Sequence, residues 1–317
     1  MSQFFQKAYR GLNLWFYYII GVILVAVGYL LGQVPLAAAM FLADGQDAVV
    51  NMEKSGDFSS SSLGSNTILF LMIIMFVVAF IALLLALRIQ KKKLLEITTG
   101  RDQIDFNRVL FGFSLWMALT IVFEIVHYLY QPEIYTLQFN FKTFVVLALI
   151  VIFMLPIQTS FEECFFRGYL MQGLSLLFKN KIGALVVTSI LFSLVHSLNP
   201  EIEKYGFWNM QVYYIGAGLF LGLLVIVDDG LELALGVHAA TNIFGALFVS
   251  YDGGVLQTDS IWKTAEINVH FANVLFYVCA IVFYLICRKK FKWRNELEVL
   301  TEKIDKVVDK FANAPTV

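Results

Sequence analysis

Eight long apolar stretches, separated by short polar segments, organise the chain. A helix needs about 17 to 25 apolar residues to cross the hydrocarbon core of a bilayer, and the stretches lie near or above that length. We therefore predict eight transmembrane helices. Their approximate bounds are 14–42, 67–87, 109–130, 143–178, 183–198, 207–227, 231–250 and 269–287.

The composition agrees with this pattern. Of the 317 residues, 59% are hydrophobic and 15% are charged, and the mean hydropathy is +0.74. No soluble domain of ordinary composition approaches these values. The net charge of -1 leaves no broad basic field, which argues against nucleic acid as a partner. We predict an all-α, polytopic integral membrane protein whose environment is the lipid bilayer.

The basic residues predict an orientation. If the N-terminus is cytoplasmic, the inner segments hold 18 lysines and arginines and the outer loops hold only four. Such an excess marks the cytoplasmic side. The four outer residues are Lys54, Lys142, Lys204 and Lys263. Both termini are therefore expected in the cytoplasm, with the protein in the plasma (inner) membrane.

Three parts of the chain can be distinguished. Residues 1–142 hold three predicted helices and an acidic, serine- and glycine-rich external loop at 43–66, expected to be a mobile surface loop. Residues 143–250 hold the next four helices and the unusual polar residues. Residues 251–317 hold the last helix and a cytoplasmic tail that we expect to lie on the membrane as an amphipathic helix. Its apolar positions are Leu297, Leu300, Ile304, Val307 and Phe311.

The fourth stretch is too long for one bilayer crossing. A helix over 143–178 would span about 54 Å against a hydrocarbon core of about 30 Å, so it must tilt, break at Pro156 or project from the membrane. A turn near Asn180 would return the chain as an antiparallel hairpin. Glu162 lies about 18 residues before this turn and His196 about 15 after it, so the hairpin brings them to similar heights.

Ionisable residues interrupt this apolar region. Glu162, Glu163 and Arg167 lie within the fourth stretch, where each charge is costly unless it is paired or functional. Glu163 and Arg167 are one helical turn apart and can form a structural ion pair, which leaves Glu162 pointing elsewhere. His238 and Asn242 share one face of the seventh helix by the same spacing.

Three motifs follow one another on these helices: E-E-x-x-x-R from Glu162, F-x-x-x-H from Phe192 and H-x-x-x-N from His238. In this order they resemble the CPBP family of intramembrane proteases, which includes the CAAX prenyl endopeptidases and bacteriocin-immunity relatives. The resemblance spans about residues 155–245, a third of the chain. It implies an endopeptidase that acts on a peptide or a lipidated protein.

The resemblance also implies roles for individual residues. Glu162 with His196 would activate a water molecule, and His238 with Asn242 would orient that water or stabilise the tetrahedral intermediate. Glu162, His196 and His238 could instead hold one divalent metal ion such as zinc. The sequence does not separate a metal-bound water from one activated by glutamate alone.

Two other functions compete with proteolysis. The same fold could serve as a non-proteolytic membrane scaffold or immunity factor. Buried carboxylates and histidines also form proton relays in transporters, although the sequence shows no paired repeats of the kind many transporters have.

A second pair of polar residues lies outside the three motifs. Glu124 and His127 on the third helix form Glu-x-x-His, a pattern found in four-helix carboxylate metal proteins. That architecture needs two copies, and no second copy is present on another helix. We therefore interpret Glu124 and His127 as a polar patch near the outer interface.

The three cysteines provide no further candidate site. Cys164, Cys279 and Cys287 lie in apolar runs without the spacing of a thiolate metal site. We predict that they are small core residues.

Overall fold

The computed structural model describes residues 2–55, 58 and 61–304, and for residues 51–55 the backbone alone. In these parts the chain is predominantly helical. In chain order the α-helices are α1 (Gln3–Gln6), α2 (Trp15–Asp44), α3 (Gln46–Ser55), α4 (Ser65–Ile89), α5 (Leu94–Thr98), α6 (Phe106–Tyr130), α7 (Phe141–Glu163), α8 (Met171–Phe178), α9 (Lys181–Val195), α10 (Pro200–Tyr205), α11 (Phe207–Asp228), α12 (Glu232–Leu247), α13 (Val269–Phe291) and α14 (Glu296–Thr301).

Seven helices within the described residues are long and apolar enough to cross a membrane. They are Trp15–Asp44, Ser65–Ile89, Phe106–Tyr130, Phe141–Phe178, Lys181–Leu198, Phe207–Asp228 and Val269–Phe291. The predicted all-α, polytopic membrane class is thus confirmed.

The seventh predicted segment, 231–250, is the shorter helix α12. Its 16 residues extend about 24 Å, less than the hydrocarbon thickness of about 30 Å. α12 packs against α6, α7 and α11, and Leu233, Ala234 and Ala240 are fully buried. The segment is therefore apolar because it lies inside the protein.

The long fourth helix is continuous from Phe141 to Phe178 and does not break at Pro156. Between α7 and α8 it passes through a π-helical stretch, Cys164–Leu170. The predicted turn follows, with Lys179 in the left-handed region and Asn180 capping α9 through a 2.9 Å bond from the backbone amide of residue 183. α7, α8 and α9 thus form the predicted hairpin.

Short helices surround the tip of this hairpin. Lys181 Nζ donates to the carbonyl of Val299 at 2.8 Å, and Gln172 Nε2 donates to the carbonyls of Phe4 and Glu96, each at 2.9 Å. Segments from both ends of the chain therefore lie beside the tip. We call this end of the molecule the termini end.

The described part of the tail differs from the predicted surface helix. α14 ends at Thr301, and Val299 and Ile304 are buried in the main hydrophobic core. The Tyr9 hydroxyl donates to the Ile304 carbonyl at 3.0 Å, which fixes the tail on the protein. Val307 and Phe311 lie outside the described residues.

The predicted external loop 43–66 is helical in part, because it contains α3. Asp44 accepts a 2.6 Å hydrogen bond from the hydroxyl of Ser61, which joins the two sides of the segment. Residues 56–57 and 59–60 of this prediction lie outside the described residues.

Three short strands close the opposite end of the molecule, which we call the sheet end. They are β1 (Tyr135–Leu137), β2 (Val249–Tyr251) and β3 (Trp262–Thr264). β3 lies in the middle, antiparallel to β1 and parallel to β2. These strands were not predicted from the sequence.

Candidate active site

The predicted ion pair is present and buried. Arg167 Nη1 lies 2.8 Å from Glu163 Oε1, with Glu163 0% and Arg167 1% exposed. The Arg167 guanidinium also stacks over the Phe192 ring at 4.1 Å. Arg167 belongs to the π-helical stretch, a geometry that is rare and frequent at functional sites. Through the contact of Arg167 with Phe192, this ion pair therefore links the long fourth helix to α9.

His238 lies between the two adjacent glutamates. Its Nδ1 is 2.7 Å from Glu163 Oε1, and its Nε2 is 3.7 Å from Glu162 Oε2. Glu163 thus contacts both Arg167 and His238. From the sequence, Glu163 was assigned only to Arg167 and Glu162 was paired with His196. The structure adds a contact of each glutamate with His238.

One oxygen of Glu162 has no hydrogen-bond partner among the described residues. Its Oε1 accepts a 3.2 Å hydrogen bond from Gln158 Nε2, while the buried Oε2 has no hydrogen-bond partner. The 3.7 Å to His238 Nε2 exceeds a direct hydrogen bond. A carboxylate oxygen buried in this way is available to a water molecule or a substrate.

His196 has a fixed ring orientation. Its Nδ1 lies 2.7 Å from the Phe192 carbonyl oxygen, so Nδ1 is the donor and Nε2 is left as the basic nitrogen. The ring stacks on Tyr214 with centroids 4.5 Å apart. The end of α9 and the face of α11 together hold this imidazole.

One cavity of about 340 Å³ brings the four predicted catalytic residues together: Glu162, His196, His238 and Asn242 all line it. Apolar side chains such as Trp116 and Phe220 form much of the remaining wall. Polar groups that converge in an otherwise apolar cavity are typical of a catalytic or binding site.

The cavity continues to Glu124 and His127, which also line it. The Tyr135 hydroxyl donates to Glu124 and lies 2.8 Å from His127 Nδ1. The interpretation of this pair as a separate polar patch was therefore incomplete, because α6 presents both residues to the candidate active site. Nothing in the sequence ties α6 to α7, so this contact had no sequence signal.

Glu201 is a further residue that the sequence analysis missed. It lies on α10, lines the same cavity and is 1% exposed. The hydroxyl of Tyr214 donates to its Oε1, and Asn199 Nδ2 donates to the same atom at 3.3 Å. Through Tyr214 this network reaches the ring of His196.

Burial raises the pKa of the Glu201 carboxyl above its ordinary value of 4.5, because desolvation disfavours the charged form. A carboxyl with a raised pKa in the folded state stabilises the fold below the ordinary pKa and loses that contribution as the pH rises through the folded pKa. Glu201→Gln keeps an acceptor for Tyr214 and cannot ionise. We expect its melting temperature to match wild type at low pH, to rise above it as the pH passes from the ordinary glutamate pKa to the raised pKa of Glu201, and to stay above it at higher pH.

Thermal melting between about pH 4 and about pH 8 tests this expectation. The exposed neighbour Glu203 provides the control, because Glu203→Gln should give no such divergence. Parallel melting profiles for wild type and Glu201→Gln would contradict it.

The possible metal ligands do not form an assembled metal site. In the parts of the chain that the structure describes, no group of three or more His, Cys, Asp and Glu side chains is arranged to hold a metal ion. Glu162, His196 and His238 line one cavity without forming such a group. Glu163 engages His238 Nδ1, which leaves Nε2 as the ring nitrogen that could bind a metal ion.

The cysteines are free. Cys164 and Cys287 are fully enclosed and Cys279 is partly exposed. The prediction of small core residues is confirmed for Cys164 and Cys287.

Comparison with known proteins finds a family that part of the chain resembles. Residues 140–244 match the family model described as "Rce1-like: Type II CAAX prenyl endopeptidase Rce1-like". The chain is also 28% identical, over 290 residues, to the "Uncharacterized protein YyaK" of Bacillus subtilis (strain 168), an alignment that covers 86% of this chain and 95% of that protein. No solved structure matches. The resemblance predicted from the three motifs is therefore confirmed: residues 140–244 are similar to the Rce1-like type II CAAX prenyl endopeptidases.

Proposed function

We propose that this protein is an intramembrane endopeptidase that hydrolyses a peptide bond with a water molecule activated by Glu162. One observation carries the proposal: the buried Glu162 Oε2 has no hydrogen-bond partner among the described residues and lies 3.7 Å from His238 Nε2, while Glu163 holds the other nitrogen of that ring. An oriented base in a dry cavity is what activation of water requires.

The reaction follows from these positions. A water between Glu162 Oε2 and His238 Nε2 attacks the carbonyl carbon, and Glu162 accepts its proton. The Asn242 side-chain amide, four residues after His238 on the same face of α12, donates a hydrogen bond to the developing oxyanion. When the C–N bond breaks, the proton on Glu162 passes to the leaving amine, and the base is regenerated.

His196 lines the same cavity. Its Nε2 is the basic nitrogen because Nδ1 is bonded to the Phe192 carbonyl. In this position His196 can accept and return a proton during the reaction. Tyr214 and Glu201 hold the ring in place.

The proposed substrate is a peptide segment of a membrane-associated or lipidated protein, because the cavity is mostly apolar and the family acts on CAAX-type sequences. Incubating the detergent-solubilised protein with a broad peptide library tests the function. We expect sequence-selective cleavage by wild type and its loss in Glu162→Gln. A wild type that folds but cleaves no peptide would favour the non-proteolytic scaffold, immunity or transporter roles.

We further propose that both termini are cytoplasmic and that the protein lies in the plasma (inner) membrane. Both ends of the described chain meet at the termini end: the backbone amide of Ser2 donates to Glu302 at 3.2 Å. The basic residues favour the cytoplasmic side for this end.

Cysteine labelling in intact cells tests the orientation. An impermeant maleimide is expected to react with Ser62→Cys in the loop 43–66 but to reach Arg294→Cys only after permeabilisation. Both positions are exposed, and the unmodified chain serves as the background control because Cys164 and Cys287 are buried. Labelling of Arg294→Cys from outside would contradict the orientation.

A further inference from the structure

The candidate active-site cavity has a second polar region at the sheet end. Glu124 and His127 project from one face of α6, and the Tyr135 hydroxyl bonds to both. His127 is only 5% exposed, and its buried Nε2 has no hydrogen-bond partner in the part of the chain that the structure describes. A buried polar atom of this kind requires a partner from outside the described chain. We call Glu124, His127 and Tyr135 the α6 cluster.

Among the residues that the structure describes, the lining of the cavity carries acidic side chains but no permanently positive ones. Three glutamates line it, namely Glu124, Glu162 and Glu201, and its lining within the described residues contains no lysine or arginine. Arg167, which lies outside this lining, forms a buried ion pair with Glu163. Carboxylates in an apolar cavity are costly unless a positive charge accompanies them.

Glu124 in particular has no strong cationic partner. Its ionic contact in the described chain is His127 Nδ1 at 3.7 Å. At the sheet end, the ammonium groups of Lys204 and Lys263 are occupied by Asp252, at 3.1 and 3.2 Å. A ligand is therefore the available source of a positive charge for Glu124.

The distance to the site of hydrolysis can be estimated from helix geometry. The bond from Trp116 Nε1 to Thr241 Oγ1, 2.8 Å long, places these residues at one level of the parallel helices α6 and α12. Glu124 lies about 12 Å beyond that level and His238 about 4 Å before it, at 1.5 Å per residue. An extended peptide rises about 3.3 Å per residue, so the separation corresponds to about five residues.

Given the proposed endopeptidase function, on which this inference rests, we propose that the α6 cluster is a specificity subsite for a basic side chain of the peptide substrate. Glu124 pairs with the lysine or arginine of the substrate, and His127 Nε2 accepts a hydrogen bond from the same group. This basic residue lies within about five residues of the bond that is cleaved.

Matched peptides test the proposal. Each pair contains lysine or the neutral norleucine at one position within five residues of the cleaved bond. For the pair whose varied residue reaches Glu124, wild type is expected to cleave the lysine peptide with a kcat/KM about tenfold or more above that of the norleucine peptide. The difference should arise mainly from KM. Glu124→Gln should bring the ratio to about one. Glu124→Asp, which retains the charge, should retain the preference, and the control Glu133→Gln, outside the cavity lining, should leave it unchanged.

Binding of the same peptides separates this proposal from the proposed function. Fluorescently labelled pairs are titrated into wild type and Glu124→Gln. A lysine preference in binding that Glu124→Gln removes supports the subsite even if no peptide is hydrolysed, an outcome that would overturn the proteolytic function alone. Equal binding and cleavage of both peptides by wild type, or a preference that survives in Glu124→Gln, would overturn the subsite.

Discussion

Glu162→Gln is expected to fold like wild type and to lose about 10²- to 10⁴-fold in turnover, the usual contribution of a general base. The amide keeps the size of the side chain and can still bond to Gln158, so packing at the end of α7 is preserved. It cannot accept a proton from water, because the basic oxygen facing His238 is replaced or neutralised. The measurement is kcat for peptide cleavage beside the melting temperature of each purified variant.

Further variants make this prediction specific. His238→Ala removes the other group that contacts the water, and the double variant with Glu162→Gln should be little worse than either single variant, because members of one catalytic unit are strongly non-additive. His196→Ala should also lose activity. Glu203→Gln, an exposed change of the same kind, should match wild type. Normal cleavage by Glu162→Gln would show that another group is the base.

Arg167→Ala is expected to lower the free energy of unfolding by about 3 to 5 kcal/mol, because it leaves the Glu163 carboxylate buried without its cation. Glu163 is 0% exposed, and within the described chain its Oε2 already has no hydrogen-bond partner. The loss should appear as reduced folded yield and a lower melting temperature. Arg294→Ala is the matched control: its partner Glu298 is exposed, so we expect a loss below about 1 kcal/mol.

A charge-free pair tests the physical reason. Arg167→Met combined with Glu163→Gln leaves no unpaired buried charge, and replacement of a buried ion pair by neutral residues is often close to neutral for stability. We expect the double variant to recover much of the lost stability. Its activity should stay low, since Glu163 also orients His238. A double variant as unstable as Arg167→Ala would contradict the assignment of the cost to unpaired charge.

Local patterns in the sequence predicted the local features of the site. Glu163 and Arg167 pair as their spacing on one helix predicts, because i, i+4 neighbours face each other wherever the helix lies. The hairpin was also predictable, since its turn is defined by Asn180 and its length by helix rise. Each of these inferences uses spacing within one helix or across two helices that follow each other in the chain.

Contacts between distant elements were not predictable in the same way. The position of His238 between Glu162 and Glu163 depends on how α12 packs against α7, which no spacing within either helix specifies. Equally, α12 resembled a membrane span because burial in protein and burial in lipid select the same apolar residues. The strands have three residues each, too short for their alternation to be recognised.

The most direct test of glutamate-activated hydrolysis is a single-turnover cleavage in water labelled with heavy oxygen, with peptide products and intact protein weighed at each quench time. The account predicts one heavy oxygen in the newly formed carboxyl terminus, an unchanged protein mass throughout, and no product from Glu162→Gln on the same time scale. A peptide-sized adduct on the intact protein, for example on Cys164 beside Glu163, would contradict it, because the nucleophile would then be a side chain rather than water.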